Sequence, residues 1–222
     1  MSEITDVEEI YTEEYHAKAG VRGEKQYPAK QDMAAGIHRI WQPRSVIDVG
    51  CGRGWWMEYW LLEHPYRGDG EGTCVVGVDG CANLIKRNAQ CIRAVAQRMF
   101  SVDLRHPGWA GRLQISMQPS PMWDVTLCIE VAEHLEEEHA PHLVRQLTTL
   151  SDRIFFSAAR PGQRGRHHVN CRPKAYWAKI FRSHGYDWRM DLYSDWLAGL
   201  DATGRFGANI RRNAMFLTRG ER

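Results

Sequence analysis

The sequence lacks long apolar runs, paired cysteines and any large excess of one charge. No stretch approaches the ~18 consecutive apolar residues of a membrane-spanning helix, and the acidic residues 1–14 do not look like a signal peptide. The six cysteines are scattered without a Cys-x-x-Cys pair, which favours reduced thiols over a disulfide framework. We therefore expect a cytoplasmic protein with no membrane partner.

Charge and composition set broad limits on the partner and the domain count. Lys and Arg number 29 against 27 Asp and Glu, so the formal net charge of +2 argues against a dedicated nucleic-acid scaffold. The 222 residues, 43% hydrophobic and 25% charged, have the composition of an ordinary globular protein. We predict a single domain over residues 1–222. Nine tryptophans indicate aromatic surfaces beyond those that a core needs.

Short apolar runs alternate with helical patterns along most of the chain. Two leading helices are predicted at residues 3–19 and 30–41, separated by a connection marked by Gly20, Gly23 and Pro28. Further helices are predicted at 82–93, from the end of the fourth strand to 137, at 141–150 and at 173–183. Strands are predicted at 45–49, 74–78, 98–102, 123–129, 153–157, 186–192 and 213–218. The alternation predicts an α/β fold with a mostly parallel sheet, helices on both faces and a ligand at the carboxyl ends of the strands.

Three acidic residues at strand ends suggest an adenosine site. The first strand runs into Asp48-Val-Gly-Cys-Gly-Arg-Gly54, a turn whose glycines let backbone approach a ligand closely. Asp79 follows the second strand, where a carboxylate accepts hydrogen bonds from ribose hydroxyls, and Asp103 follows the third, where it can accept from an adenine amino group. Either residue alone is more typical of a turn or helix cap, so the prediction depends on their joint placement.

These motifs resemble those of the class I S-adenosylmethionine-dependent methyltransferases. The matching segments are VIDVGCGRGWW at 46–56, VVGVDG at 75–80, SVDL at 101–104, WDVTLCIEVAEHL at 123–135, HHVNCRPKAYWAKIF at 167–181 and NAMFLT at 213–218. A nicotinamide cofactor is the alternative, but its fingerprint is Gly-x-Gly-x-x-Gly, and Trp55 stands where its third glycine belongs.

The resemblance implies a Rossmann-like three-layer sandwich with a seven-stranded, mostly parallel sheet whose last strand is antiparallel. Residues 43–222 would form the core and residues 1–42 a helical lid, in which Tyr11, Tyr15 and His16 help to enclose the methyl donor; a packing stripe is the alternative for the tyrosines. The implied donor-binding residues are Asp48, Gly50, Cys51, Gly52, Asp79, Asp103, Leu104, Ile129 and Tyr15.

The segment after the fourth strand carries candidate catalytic groups. Glu130, Glu133 and His134 have the spacing i, i+3, i+4, which is one face of a helix. With His168, or the adjacent His167, they would make an octahedral site for Mg²⁺ or Mn²⁺. The element resembles that of small-RNA terminal ribose methyltransferases and ubiquinone-pathway O-methyltransferases. Without a metal, His134 would act as a general base.

The sequence says less about the methyl acceptor than about the methyl donor. Residues 153–186 contain eight basic side chains and no acidic one, with Gly162, Gln163 and Gly165 giving a flexible loop. This segment could hold a phosphate or another acidic group, or it could be a solvated face that pairs with the acidic residues 136–138. Walls of the acceptor site are expected from residues 199–207 and from several tryptophans. Those tryptophans are Trp55, Trp56, Trp177, Trp188 and Trp196.

We predict methyl transfer to an oxygen, in preference to a nitrogen, of a small and anionic acceptor. The alternatives are a methyltransferase acting on the ribose of RNA or of a nucleotide, and a non-catalytic binding module of the same fold.

Overall fold

A single seven-stranded sheet organises the molecule. The computed structural model describes residues 13–67, 71–81, 97–116, 122–200 and 207–221, with backbone only for 13–26 and 114–116. The strands are β1 (Ser45–Val49), β2 (Cys74–Asp79), β3 (Met99–Ser101), β4 (Val125–Ile129), β5 (Arg153–Ser157), β6 (Tyr186–Trp188) and β7 (Met215–Arg219). Their order is β3-β2-β1-β4-β5-β7-β6, and β7 alone runs antiparallel to its neighbours. The predicted sheet is confirmed.

Helices cover both faces of this sheet, which gives the predicted three layers. The helices are α1 (Glu13–Trp41), α2 (Met57–Glu63), α3 (Trp109–Ser116), α4 (Ala140–Leu150), α5 (Lys174–Ser183), α6 (Met190–Ala198) and α7 (Ala208–Asn213). One apolar cluster joins Ile47 of β1 to α3, α4 and α5. The other joins the adjacent Val46 to α1, α2 and α6. Neighbouring strand residues point to opposite faces, so an apolar run such as Ser45–Val49 must be covered on both sides.

The N-terminal prediction of two helices is wrong. The chain forms one helix over Glu13–Trp41, with Pro28 inside it. A proline inside a helix removes one backbone hydrogen bond but does not have to end the helix when packing holds the following turns. Met33, Ala34 and Ile37 are buried against the sheet and stabilise that part of α1. The predicted Tyr11 lies outside the described residues, as do the side chains of Tyr15 and His16.

Two other predicted elements also differ from the structure. The sixth strand ends at Trp188, and the residues that follow form α6, because Leu192, Trp196 and Leu200 recur at helical spacing and pack in the core. After β4 the chain makes two short 3₁₀ turns, Ala132–His134 and Glu137–His139, instead of an α-helix. The predicted helix at 82–93 and part of the 199–207 loop lie outside the described residues.

Three of the tryptophans expected near the acceptor, Trp56, Trp177 and Trp196, belong to the core instead. Trp177 is 1% exposed and packs between α5 and the sheet. Trp196 is fully buried and donates a hydrogen bond to the Met33 carbonyl at 3.1 Å, which ties α6 to α1. Within the described ranges, none of the helices combines the length and hydropathy required to cross a membrane.

Candidate active site at the carboxyl edge of the sheet

One edge of the sheet collects the predicted site residues. The parallel strands β1, β2, β4 and β5 all end there, and the antiparallel β7 begins there. Residues that follow the parallel strands and residues that precede β7 therefore come together, although they are far apart in sequence. This is the edge at which open α/β sheets bind their ligands.

The glycine loop after β1 folds tightly against the neighbouring strands. The backbone N–H groups of Gly50 and Cys51 both donate to the Val78 carbonyl, at 2.7 and 3.0 Å. Gly50 has a φ of +74°, and a Cβ at this position would lie 2.3 Å from Val131 Cγ2. Only glycine fits these two conditions. At Gly52, where a Cβ would meet nothing within 4 Å, the loop faces open space that can receive a ligand.

Asp79 fastens this loop from the end of β2. Its Oδ2 accepts a hydrogen bond from the Gly52 N–H and its Oδ1 accepts one from the Cys81 N–H, both at 2.8 Å. Burial raises the pKa of Asp79, and the two backbone hydrogen bonds oppose that rise. Each carboxylate oxygen can accept a further bond. The residue therefore fits the predicted ribose contact, and it also holds the loop, a role that sequence reasoning missed.

Asp48 lies beneath the loop and is almost fully buried. It is 1% exposed, and its Oδ2 has no hydrogen-bond partner among the described residues. Burial, together with the charge of Asp79, raises the pKa of Asp48 to about 7, while Lys30 on α1 opposes the rise. A buried polar atom without a partner is costly, so this position favours a ligand that donates a hydrogen bond.

The predicted adenine contacts follow β3. Asp103 is exposed, and its Oδ1 accepts hydrogen bonds from the backbone N–H and the Nε of Arg105, both at 3.0 Å. Partial burial raises the pKa of Asp103, but the bonds from Arg105 outweigh it and the net shift is downward. The side chains of Leu104 and Ile129 are buried in the two core clusters, which leaves only their backbone to meet a ligand. Contact with adenine stays a prediction.

Glu130 is held in a network that the sequence did not reveal. It is one of the few non-glycine residues with positive φ, at +54°. Its Oε1 accepts from Ser157 Oγ at 3.1 Å and from Asn213 Nδ2 at 3.0 Å, and its Oε2 accepts from Gln163 Nε2 at 3.0 Å. Asn213 also donates to Gln163 Oε1 at 3.0 Å. The network therefore links the end of β4 to β5, to the following loop and to the end of α7, just before β7.

Three of the four predicted metal ligands come together. Ligand atoms of Glu133, His134 and His168 all lie within 4.8 Å of one another. The loop that carries His168 is fixed beside the turn because the N–H groups of Val169 and Asn170 donate to the Glu133 carbonyl, at 2.9 and 3.1 Å. Glu130 does not belong to this cluster, because φ +54° and the network direct its carboxylate elsewhere. The predicted one-face arrangement required an α-helix that does not form.

The electrostatics of this cluster favour a cation. Glu133 is fully buried, and within the described ranges neither of its carboxylate oxygens has a hydrogen-bond partner. Burial, with the nearby charge of Glu130, raises the pKa of Glu133 to about 8, and the backbone N–H groups of Glu133 and Ala159 oppose the rise. Burial and the charge of His168 lower the pKa of His134 to about 4. A buried carboxylate beside the imidazoles of His134 and His168 is a donor set suited to a divalent metal.

Both histidines are oriented as metal-binding histidines commonly are. Nδ1 of His134 lies 3.2 Å from the His167 carbonyl, and Nδ1 of His168 lies 3.0 Å from the Gln163 carbonyl. A carbonyl only accepts, so at His168 Nδ1 carries the proton and Nε2 is the deprotonated nitrogen that can act as a ligand. His134 has a second backbone hydrogen bond, to Arg166. A Cβ at Gly165 would lie 2.0 Å from His168 Nε2, so a glycine is required for the His168 ring to take this position.

The basic segment contains an ion pair and several exposed arginines. Arg172 forms an ion pair with Glu137, as the solvated-face alternative predicted. Arg160, Arg164 and Arg166 are exposed on the loop that carries His168. Trp188 is half-buried, and Lys174 Nζ lies 5.3 Å from the centroid of its ring. Cations therefore line one side of the predicted acceptor site.

Comparisons with known proteins agree with this geometry. The model of a methyltransferase-domain family matches residues 25–191. The comparison with curated proteins gave no match. The plantazolicin methyltransferase BpumL, solved with SAH, has a TM-score of 0.63 and 13% identity, over 96% of this chain and 93% of that one.

Two further solved structures share the fold. The methyltransferase domain of bacterial CtHen1-CN has a TM-score of 0.54 and 19% identity, over 84% of this chain and 95% of that one. The mitomycin 7-O-methyltransferase MmcR has a TM-score of 0.54 and 13% identity, over 86% of this chain, which spans 54% of MmcR. At these identities the structures support the fold, and the family model covers most of the sequence. The chain belongs to the methyltransferase-domain family and is a class I, S-adenosylmethionine-dependent methyltransferase.

Proposed function

We propose that the protein methylates an oxygen of a small anionic acceptor, with a divalent metal held by Glu133, His134 and His168. The observation that carries this proposal is the fully buried Glu133 carboxylate, which lacks hydrogen-bond partners among the described residues and lies beside two imidazoles. A buried carboxylate without hydrogen-bond partners does not stabilise the fold. Its presence therefore indicates that it binds a ligand.

On the donor side, the chain's own residues bind and orient S-adenosylmethionine. S-adenosylmethionine, when bound, supplies a methyl group on a positively charged sulfur that an oxygen can attack. Asp79 accepts hydrogen bonds from the ribose hydroxyls, and the backbone from Gly50 to Gly52 lies along the methionine part. Asp103 and the Leu104 backbone receive the adenine edge. Positioning of this kind is most of the catalytic task in a direct substitution.

On the acceptor side, the three ligands prepare an oxygen nucleophile. A divalent metal supplies Lewis acidity, which lowers the pKa of a hydroxyl group. Two imidazoles and one carboxylate suit Mn²⁺, Fe²⁺ or Zn²⁺ better than Mg²⁺, which prefers oxygen ligands. Glu130 orients the surrounding loop through Ser157, Gln163 and Asn213.

The metal-free alternative makes His134 the general base. Its pKa of about 4 leaves it neutral at physiological pH but makes it a weak proton acceptor. A general base works best with a pKa near the working pH. The same low pKa favours metal ligation, because the deprotonated nitrogen is available without competition from protons.

RNA is the second candidate acceptor. Arg160, Arg164 and Arg166 are exposed near the site, and such side chains can bind either a single carboxylate or phosphate or a longer phosphate backbone. One fold neighbour is a Hen1 methyltransferase domain. The near-neutral net charge of +2 supports the small acceptor. RNA binding predicts an affinity that falls steeply with salt, whereas one small anion involves few released counterions.

Turnover with labelled S-adenosylmethionine tests the proposal. The full chain is stripped with a chelator and assayed on a panel of hydroxylated carboxylic acids, phosphate esters and short RNAs, before and after Mn²⁺, Mg²⁺ or Zn²⁺ is restored. We expect activity on a small acid or phosphate ester to disappear on chelation and to return with metal. Glu133→Gln is expected to lower kcat about 100-fold or more, the scale typical of losing an essential catalytic group.

Glu138→Gln is the matched control, because Glu138 is exposed in the same segment. Full turnover in chelator would reject the metal and leave His134 as the base. Turnover confined to RNA would replace the small acceptor.

A further inference from the structure

Lys174, the first residue of α5, lies at the carboxyl edge of the sheet beside the Glu130 network. The loop that carries His168 leads directly into this residue. Its Nζ donates a hydrogen bond to the Ala214 carbonyl at 2.8 Å. Ala214 follows Asn213, whose Nδ2 donates to Glu130 Oε1 at 3.0 Å. The ammonium is therefore attached to the residue next to the network that orders the acceptor side.

Two aromatic rings lie beside this ammonium. Its Nζ is 4.5 Å from the centroid of the Tyr193 ring on α6 and 5.3 Å from that of Trp188 at the end of β6. The Tyr193 hydroxyl donates to the Arg211 carbonyl at 3.1 Å, which anchors the ring. Aromatic faces attract a cation without occupying its hydrogen-bond donors. Lys174 is thus held in place with donor capacity to spare.

No carboxylate of the described residues forms an ion pair with Lys174, whereas Arg172, two positions earlier, is paired with Glu137. The Ala214 carbonyl occupies one of the three donor positions of the ammonium. Burial and, to a smaller extent, the charge of Arg160 lower the pKa of Lys174 to about 8.

The position of Lys174 in α5 does not explain its presence. A helix begins with a partial positive charge, so a lysine in the first turn is unfavourable there. The side chain is half-buried, which adds a desolvation cost to its charge. A cation that is fixed in this way and has no counter-ion in the described part of the chain favours an anionic ligand.

We propose that Lys174 binds the negatively charged group, a carboxylate or a phosphate, of the methyl acceptor. The enzyme thereby prefers acceptors whose anionic group and hydroxyl group can reach Lys174 and the cluster of Glu133, His134 and His168 together. This inference rests on the proposed function. The competing explanation is that Lys174 only supports the start of β7 through Ala214.

Calorimetric titration with three small probes separates these explanations. Benzoate carries a carboxylate, phenyl phosphate carries a phosphate, and benzamide is neutral, while all three share one benzene ring. None has an alcohol or phenol group, so binding is measured apart from methyl transfer. The full chain is saturated with S-adenosylhomocysteine at pH 7, below the pKa of Lys174, where the ammonium is mostly protonated.

The variants are Lys174→Met, which keeps an apolar stem over the two rings, and Lys174→Arg, which keeps the charge. Lys179→Met is the matched control, because Lys179 is exposed on the same helix. Affinity for S-adenosylhomocysteine and denaturant unfolding report whether each variant is folded.

We expect Lys174→Met to weaken the binding of at least one anion about 10-fold, the lower end for a lost hydrogen bond to a charged group, and to leave benzamide within about threefold. The anion that loses more affinity identifies the group that Lys174 prefers. Lys174→Arg should recover part of the loss, and Lys179→Met should change none of the affinities.

An equal effect of Lys174→Met on all three probes, or no effect on any, would overturn the role of Lys174. Failure of both anions to bind the unaltered protein would overturn it as well. The proposed function is decided separately by turnover with labelled donor. Activity on a small acid with an unchanged KM in Lys174→Met would leave that function standing without this residue.

Discussion

The donor side of the carboxyl edge, formed by the glycine loop with Asp48 and Asp79, draws its residues from positions 48–79. The acceptor side, formed by Glu133, His134 and His168 with the Glu130 network, draws on positions 130–213. Backbone groups do most of the work on the donor side, as in the bonds from Gly52 and Cys81 to Asp79. On the acceptor side, the contacts are made by side chains from separate elements. The first is a local feature of the chain, and the second exists only after the sheet has formed.

The two sides meet at a packed contact between Gly50 and Val131. Gly50 in the donor loop lies against Val131, which follows β4 on the acceptor side. The Gly50 N–H is held by the Val78 carbonyl of β2, and the Val131 carbonyl accepts a hydrogen bond from the His134 N–H. A change at this contact affects both sides together, whereas changes on either side of it should remain separate.

Gly50→Ala alters this contact directly and is expected to lower the free energy of unfolding more than Gly52→Ala does. The added Cβ would lie 2.3 Å from Val131 Cγ2 on backbone with φ +74°. Left-handed strain and overpacking together should lower the free energy of unfolding by about 2–4 kcal/mol. Gly52→Ala is the matched control, since φ is +53° but no atom lies within 4 Å, and it should cost about 1 kcal/mol. Denaturant unfolding of both variants measures the difference.

Adding Val131→Ala to the Gly50→Ala variant should recover part of the lost stability. Equal destabilisation by Gly50→Ala and Gly52→Ala would show that the contact with Val131 does not separate the two positions.

Asn213→Ala is expected to have a smaller effect, confined to the acceptor side. Asn213 is 1% exposed and donates to both Glu130 and Gln163. Its loss frees the loop that carries His168, so kcat should fall about 10-fold, which corresponds to one lost hydrogen bond to a charged group. The affinity for S-adenosylhomocysteine should not change. Steady-state kinetics and calorimetry on the same preparation measure both quantities.

A fall in donor affinity equal to the fall in kcat would contradict the separation of the two sides at this residue. Asn170→Ala serves as a comparison. Asn170 is as buried as Asn213 and lies in the loop that carries His168, but it is outside the Glu130 network.

A region could be predicted from the sequence where its structure depends on residues that are close together in the chain. The bounds of β1 and β5 are those that their apolar runs predicted, because a buried strand requires a continuous apolar segment. The glycine loop and Asp79 were found from spacing alone. Pro28 was interpreted as a helix end, although packing further along α1 outweighs its effect.

The acceptor side could be predicted only in part. His134 was predicted from its spacing to Glu130 and Glu133, and His168 from its place in the loop after the fifth strand. The partners of Glu130, however, lie 27, 33 and 83 positions away in sequence. Their contact depends on the antiparallel placement of β7 and on the path of the loop after β5. The spacing of Glu130, Glu133 and His134 predicted one helix face, while the chain forms a 3₁₀ turn and sends Glu130 elsewhere. No local pattern signals that outcome.

The central claim is that donor and metal bind to separately built halves of one edge. Calorimetry of Asp79→Ala and Glu133→Gln, each titrated with S-adenosylhomocysteine and with Mn²⁺, tests it most directly. Asp79→Ala should weaken S-adenosylhomocysteine binding about 100-fold, since two backbone donors and the proposed ribose contacts depend on one carboxylate, and should keep Mn²⁺ binding. Glu133→Gln should show the reverse. Loss of both ligands in either variant, or of neither, would contradict the account.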